Sequence, residues 1–78
     1  MNISKGTPLP YLRAWRERRG MSQEELSRLA EVTPATISRL ENGAIARFGT
    51  IAKLATALQI TREQLMRSDP GKELHEAA

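Results

Sequence analysis

The chain has 78 residues, with 12 lysines and arginines against nine acidic residues and a formal net charge of +3. A chain of this length forms one small domain and leaves little room for a catalytic cleft. Cysteine is absent, so neither a disulfide framework nor a thiolate metal site is expected. No apolar run approaches the roughly 18 residues of a membrane span, and the first residues lack an apolar leader. We therefore expect a cytoplasmic protein that makes no membrane contact.

The basic excess lies in one part of the chain. Residues 1–47 hold eight basic and five acidic residues, whereas residues 48–78 hold four of each. An excess confined to one segment indicates an anionic partner for that segment.

Five short amphipathic helices are predicted, and because no segment alternates with period two, no sheet is expected. The first helix is predicted to begin near Thr7 or Pro8, since proline is tolerated in the first turn, and to end at Gly20. Its apolar stripe consists of Leu12 and Trp15.

The second helix is predicted to begin at Ser22, which forms an S-x-x-E capping box with Glu25. Its spacing predicts that Leu26, Leu29 and Ala30 face the core.

The third helix is predicted from the N-cap Thr33 and Pro34 to a stop at Asn42 and Gly43. Ile37 and Leu40 support it from inside. Its outward face carries no large apolar group and consists of Ala35, Ser38, Arg39 and Asn42. Such a face can enter a groove about 12 Å wide, as the DNA major groove is, where an arginine can reach O6 and N7 of guanine. The alternative is an ordinary solvated charge on a helix surface.

The fourth helix is predicted from Phe48, and a capping pair of Thr61 and Gln64 predicts a fifth that buries Leu65 or Met66. Residues 1–6 and 69–78 lack periodic apolar positions, so we expect flexible ends around a domain of residues 7–68. The expected fold class is all-α, a compact five-helix domain.

The segments LRAWRERRGMSQEELSRLAEVTPATISRLENG and TIAKLATAL resemble the helix-turn-helix domain of the phage repressor and Cro type, also called the XRE family. The resemblance runs from Leu12 to about Met66. It implies a five-helix fold in which the second and third helices form a DNA-binding unit, with residues 34–41 as the recognition helix in the major groove.

The resemblance also implies roles for individual residues. Arg16 and Glu41 match an internal ion pair that ties the first helix to the recognition helix. The positions implied to read bases are Gln23, Pro34, Ala35, Thr36, Ser38 and Arg39, and those implied to meet phosphate are Arg16, Gln23, Asn42 and Arg47.

Several positions depart from the family pattern. Glu31 stands in the turn where glycine is usual, and Pro34 has no group that can bond a base edge. Arg47 replaces a common capping hydroxyl. Arg62 and Gln64 stand where relatives often have apolar groups that form a dimer, which weakens the case for dimerisation through that surface.

Other side chains carry two interpretations. Ile45 either folds back on the core or makes a self-association contact across a two-fold axis. Trp15 and Phe48 are interpreted as core residues and not as stacking platforms. His75 has no second histidine or cysteine to complete a metal site, so it is interpreted as part of the tail.

No credible nucleophile and base can be paired, so the sequence does not indicate an enzyme and no cofactor is expected. The leading hypothesis is a sequence-specific regulator of transcription, a repressor that binds a double-stranded DNA operator as a homodimer, at least on DNA. The alternative is an antitoxin or accessory subunit whose main partner is a protein, a toxin or a larger complex.

Overall fold

The computed structural model of the chain describes residues 6–71. His75 and the predicted flexible ends lie outside the described residues, apart from Gly6 and residues 69–71. Within the described part there are five helices, as predicted, and one two-stranded antiparallel ladder. The helices are α1 (Leu12–Arg18), α2 (Gln23–Ala30), α3 (Pro34–Glu41), α4 (Phe48–Leu58) and α5 (Arg62–Arg67), and the strands are β1 (Thr7–Pro8) and β2 (Ile45–Ala46).

The ladder contradicts two sequence predictions. The segment expected to begin the first helix is extended and pairs with β2, so the prediction of no sheet is wrong and α1 begins only at Leu12. Thr7 and Leu9 each precede a proline, and the proline ring disfavours a helical conformation in the residue before it. Strands of two residues are too short to show an alternating pattern, so periodicity could not predict them.

Gly6 allows the ladder to close. Thr7 pairs with Ala46 and Pro8 with Ile45, and Gly6 approaches β2 with φ +153°. A Cβ at Gly6 would lie 1.9 Å from the carbonyl oxygen of Ala46. Only glycine fits this approach without displacing the backbone.

The predicted starts of α2, α3 and α5 are confirmed by their capping hydrogen bonds. The Ser22 hydroxyl accepts from the backbone N–H of Glu25, and the Glu25 carboxylate accepts from the N–H of Ser22. Thr33 accepts from the N–H of Thr36, with Pro34 at the first helical position. The start of α5 has the predicted capping box as well. Local side chains therefore satisfy N–H groups that the helices themselves cannot pair.

The turn between α2 and α3 is left-handed at Glu31, which has φ 59° and ψ 42°. The turn is closed by the N–H of Val32, which donates to the carbonyl of Ser27 at 3.0 Å. Glu31 thus adopts the conformation that glycine usually supplies at this point of the family. The sharp reversal leaves room for α3 to cross α2 and pack against it.

The core is formed by all five helices, β2 and the residue that follows β1. The buried apolar side chains are Leu9, Leu12, Trp15, Leu26, Ala30, Ile37, Leu40, Ala46, Ile51, Leu54, Ala55, Leu58 and Leu65.

Within residues 6–71 no helix has the length and apolarity needed to cross a bilayer.

Two residues predicted to face the core are instead exposed, Leu29 by 60% and Phe48 by 43%. The buried side of α2 includes Ser27, whose hydroxyl donates to the carbonyl of Glu24, so the helix is rotated and Leu29 lies at its margin. Phe48 is the first residue of α4, at the end of the apolar stripe. Ile45 is 59% exposed, so the interpretation that it folds back on the core is wrong.

Trp15 connects the first helix to the last. It is 4% exposed, as the prediction of a core role requires. Its indole Nε1–H donates to the carbonyl of Ser68 at 2.8 Å and to that of Gln64 at 3.2 Å. Pro70, a little further along, is buried. The packed structure therefore extends past the end of α5.

Candidate nucleic-acid interface

The core holds α3 from one side only. Ile37 is fully buried and Leu40 is 4% exposed, and both belong to the cluster that α2 and α4 share. Because the spacing of three residues puts both side chains on the same side of the helix, the rest of α3 is free to face outward. The short amphipathic pattern thus produces a helix that is supported inside and accessible outside.

The outward face of α3 has the composition that the sequence predicted. Arg39 is its one charged side chain, and among residues 6–71 it has no hydrogen-bond or ion-pair partner. The remaining predicted base-reading positions are exposed or half-buried: Pro34 and Ala35 are exposed, and Thr36 and Ser38 are half-buried. Small side chains around a free guanidinium would let the helix backbone approach a ligand closely.

Two polar side chains at the ends of α3, those of Thr36 and Asn42, already make hydrogen bonds within the protein. The hydroxyl of Thr36 lies 2.9 Å from that of Thr33, and Nδ2 of Asn42 donates to the carbonyl of Ser38 at 2.8 Å. Asn42 is exposed at the end of α3. Of the predicted base-reading residues on α3, Arg39 therefore offers the most donors to an external partner.

A nearly buried ion pair fixes the other end of α3. Nε of Arg16 donates to Oε2 of Glu41 at 2.6 Å and Nη2 donates to Oε1 at 3.1 Å, while Nη1 donates to the carbonyl of Met21 at 2.8 Å. The side chains are 11% and 5% exposed. The pairing implied by the family resemblance is confirmed, and it is bidentate, which fixes orientation as well as distance.

The ion pair changes the titration of Arg16. Hydrogen bonding to Glu41 raises the pKa of Arg16 above its ordinary value, and the charge of Glu41 acts in the same direction against burial. A raised pKa means that this stabilisation is present below the unfolded-state pKa and is lost only above the folded-state pKa. Deprotonation of Arg16 therefore does not break the bridge anywhere in the usual working range of pH.

Gln23 extends the same network to the start of α2. Its Nε2 donates to Oε1 of Glu41 at 3.0 Å, so one carboxylate holds α1, α2 and α3 together. Nε, Nη1 and Nη2 of Arg16 each donate to an acceptor inside the protein, and the phosphate role expected for Arg16 stays a prediction. Sequence reasoning missed the link between Gln23 and Glu41, since nothing in the spacing of residues 23 and 41 indicates a contact.

Arg47 lies at the N-cap of α4, where its side chain makes no capping hydrogen bond. Its side chain is exposed and has no ion-pair partner among the described residues. The unpaired N–H groups of the first turn of α4 and the free guanidinium of Arg47 both favour an anion at this end of the surface.

Comparisons with known proteins agree with this geometry. A helix-turn-helix family model matches residues 12–65. The chain is 44% identical over 69 residues to the HTH-type transcriptional repressor RghR of Bacillus subtilis (strain 168), an alignment that covers 85% of this chain and 51% of that protein. The chain thus spans about half the length of the curated relative it matches.

A solved structure from Neisseria, described as a hypothetical transcription factor, NHTF, is also similar. It has 32% sequence identity and a TM-score of 0.68, with 85% of this chain and 76% of the other covered. The residues that the family model matches include α2, the left-handed turn and the whole of α3. The chain therefore belongs to the helix-turn-helix family of the phage repressor and Cro type, the XRE family.

Proposed function

We propose that the chain is a sequence-specific regulator of transcription that binds double-stranded DNA through residues 7–68 and acts as a repressor by occupying its operator. In this proposal α3 enters the major groove, and α2 crosses the DNA backbone at the edge of the groove. Two copies bind an operator whose half-sites are related by two-fold symmetry.

The observation that carries the proposal is the outward face of α3. A buried side at Ile37 and Leu40 anchors the helix, and the Arg16–Glu41 bridge fixes its end. Arg39 stands free among small side chains on the opposite face. This combination supports base reading more than a general charge effect, because a rigidly held helix gives its one free guanidinium a defined position.

The other residues have graded roles in this proposal. Arg39 bonds O6 and N7 of a guanine, while Ala35 allows close approach. Thr36 and Ser38 make lesser contacts with base edges, and Pro34 contributes only its shape.

Contacts to the DNA backbone surround this reading face. Gln23 keeps one N–H on Glu41 and uses its remaining amide groups toward the duplex. Asn42 and Arg47 meet phosphate oxygens, which position the protein without reading sequence. Arg16 acts from behind, as the residue that holds Glu41.

The proposal is tested by selecting binding sites from random duplexes with the purified chain. We expect one enriched sequence that contains guanine and occurs twice in opposite orientation. A parallel selection with Arg39→Ala should lose the preference for that guanine and keep the other preferred positions. Selection that yields no consensus with the unmodified chain would refute sequence-specific binding.

A further inference from the structure

The end of α3 carries an asparagine followed by a glycine, Asn42 and Gly43, and both residues are exposed. Asn42 is the C-cap of α3, and Gly43 follows it in the left-handed region with φ +103°. A Cβ built at Gly43 would meet no heavy atom within 4 Å. Open space therefore surrounds the point where the side-chain amide of Asn42 and the backbone nitrogen of Gly43 are neighbours.

Asparagine is chemically labile, above all before glycine, which has no side chain to block an attack from its own nitrogen. In this reaction the nitrogen of Gly43 gives its proton to base and attacks Cγ of Asn42. A five-membered succinimide ring forms, while the C–N bond of the side-chain amide breaks and its nitrogen leaves as ammonia. Water then opens the ring at one of two carbonyls. The products are aspartate and isoaspartate, in which the main chain runs through the former side chain.

Hydrogen bonds of the helix cap hold the two reacting groups in place. Nδ2 of Asn42 donates to the carbonyl of Ser38 at 2.8 Å, and the N–H of Gly43 donates to the carbonyl of Leu40 at 3.2 Å. Ring formation requires both bonds to open, because each ties up a nitrogen that takes part in the reaction. The rate of the reaction is therefore set by opening of the cap.

Opening of the cap does not require α3 to unfold. Glu41, directly before Asn42, is held by Arg16 through the nearly buried bridge, and Leu40 is 4% exposed. The cap itself lies on the surface, where local opening costs less free energy than unfolding of the whole domain. The reaction can thus occur while the rest of α3 stays packed on the core.

We propose that Asn42 is a site of spontaneous deamidation, controlled by opening of the cap at the end of α3. The product replaces a neutral hydrogen-bond donor with an anion. A carboxylate at residue 42 cannot donate to the carbonyl of Ser38, and a negative charge is unfavourable at the C-terminal end of a helix. The modified chain should therefore have a looser cap.

The modification changes the surface that would bind DNA. In the proposed function Asn42 meets a phosphate oxygen, so a carboxylate at this position repels the duplex. Because phosphate contacts carry no sequence information, we expect the modified chain to lose affinity for operator and random duplex alike. This consequence rests on the proposed function, whereas the deamidation itself does not.

Mass spectrometry of tryptic peptides tests the modification directly. Cleavage after Arg39 and Arg47 releases residues 40–47, in which Asn42 is the one asparagine. During incubation of the folded chain at about pH 8.5 and 37 °C, this peptide should gain one dalton and separate into aspartate and isoaspartate forms. In urea that unfolds the chain, the reaction should be at least tenfold faster. Equal rates in the two conditions would show that the cap does not control it.

The chain contains an internal control for this measurement. Asn2 is the only other asparagine and is followed by Ile3, whose β-branched side chain hinders the same attack. It is released separately by cleavage after Lys5. The peptide of residues 1–5 should keep its mass over the period in which the Asn42 peptide changes.

Two variants separate the new charge from the lost hydrogen bond. Asn42→Asp carries the charge of the product, and Asn42→Ala removes the amide without adding a charge. In titrations against duplex DNA, Asn42→Asp should bind at least fivefold more weakly than Asn42→Ala, with circular dichroism verifying that both are folded. Equal affinities would refute the effect on DNA binding.

The failure of this proposal and that of the proposed function can be told apart. If the peptide of residues 40–47 keeps its mass over several weeks, or if Asn2 reacts as fast as Asn42, the deamidation proposal is wrong. If the unmodified chain binds no duplex, the proposed function fails, and the mass of the Asn42 peptide still decides whether the residue is modified.

Discussion

Breaking the Arg16–Glu41 bridge should destabilise the protein more than breaking either of the two other ion pairs found among the described residues. The bridge side chains are only 11% and 5% exposed, whereas those of the pair formed by Arg13 and Glu17 are 69% and 56% exposed. Removing one partner of a buried pair leaves a charge without compensation, at a cost of about 3 to 5 kcal/mol. An exposed pair contributes at most about 1 kcal/mol.

The cost of Glu41→Gln should lie near the lower end of that range. The Arg16 guanidinium keeps one acceptor, the carbonyl of Met21, and the new amide oxygen can still accept a hydrogen bond from it, although it carries no charge. A loss of about 3 kcal/mol lowers the melting temperature of a domain of this size by about 12 to 24 °C. Since small domains are only marginally stable, this is a large part of the total stability.

Thermal and urea unfolding followed by circular dichroism measure this effect. Glu41→Gln and Arg16→Met should both melt well below the unmodified chain, and Arg13→Met, the control for an exposed pair, should change stability by less than about 1 kcal/mol. The double variant Arg16→Met with Glu41→Leu should recover much of the loss, because no buried charge is left unpaired. Melting curves for Glu41→Gln and Arg16→Met that coincide with that of the unmodified chain would show that the bridge does not stabilise the fold.

Four more outcomes are expected. Arg39→Ala should weaken binding to the selected operator by about 1 to 3 kcal/mol more than binding to random duplex. Arg47→Ala should weaken binding to both duplexes alike and reduce the slope of log affinity against log salt concentration by about one unit. Titrations at several salt concentrations measure both effects, and an unchanged specificity ratio for Arg39→Ala contradicts base reading. The saturated operator complex should sediment with two chains per duplex, on half-sites centred about 10 base pairs and 34 Å apart; a single chain per duplex would refute this. Glu31→Gly should stabilise the chain by about 1 kcal/mol, since it removes the cost of a left-handed non-glycine residue, and no gain on urea unfolding would argue against that strain. Gly6→Ala should lower the melting temperature, because a Cβ at residue 6 has no space beside Ala46. Gly49→Ala, in a helix with open space around it, should raise stability by about 0.5 to 1 kcal/mol. Equal effects of the two substitutions would show that glycine is not needed where residue 6 approaches β2.

The helix boundaries that could be predicted are those set by local chemistry. Ser22 with Glu25 and Thr33 before Pro34 specify helix starts through hydrogen bonds between residues three apart, so the sequence alone is sufficient. The inward positions of Ile37 and Leu40 follow from spacing for the same reason.

The features that could not be predicted depend on contacts between distant segments. The ladder needs β1 and β2, which are far apart in the chain and too short to show a period. The exposure of Leu29 follows from the rotation of α2 against its neighbours. The hydrogen bond between Gln23 and Glu41 follows from the crossing of α2 and α3. For Arg39, the sequence predicted a free charge on the outward face, and its reading of bases stays a prediction.

The position of Trp15 makes the protein its own spectroscopic reporter. Trp15 is the only tryptophan, and its indole N–H is held by two carbonyls at the end of α5, with the guanidinium of Arg19 5.8 Å above the ring. Detachment of α5 would expose the indole to water and move its emission to longer wavelength, even while α2 and α3 stay folded. Fluorescence compared with circular dichroism during unfolding would therefore reveal whether the last helix opens before the rest, as a separate cooperative unit.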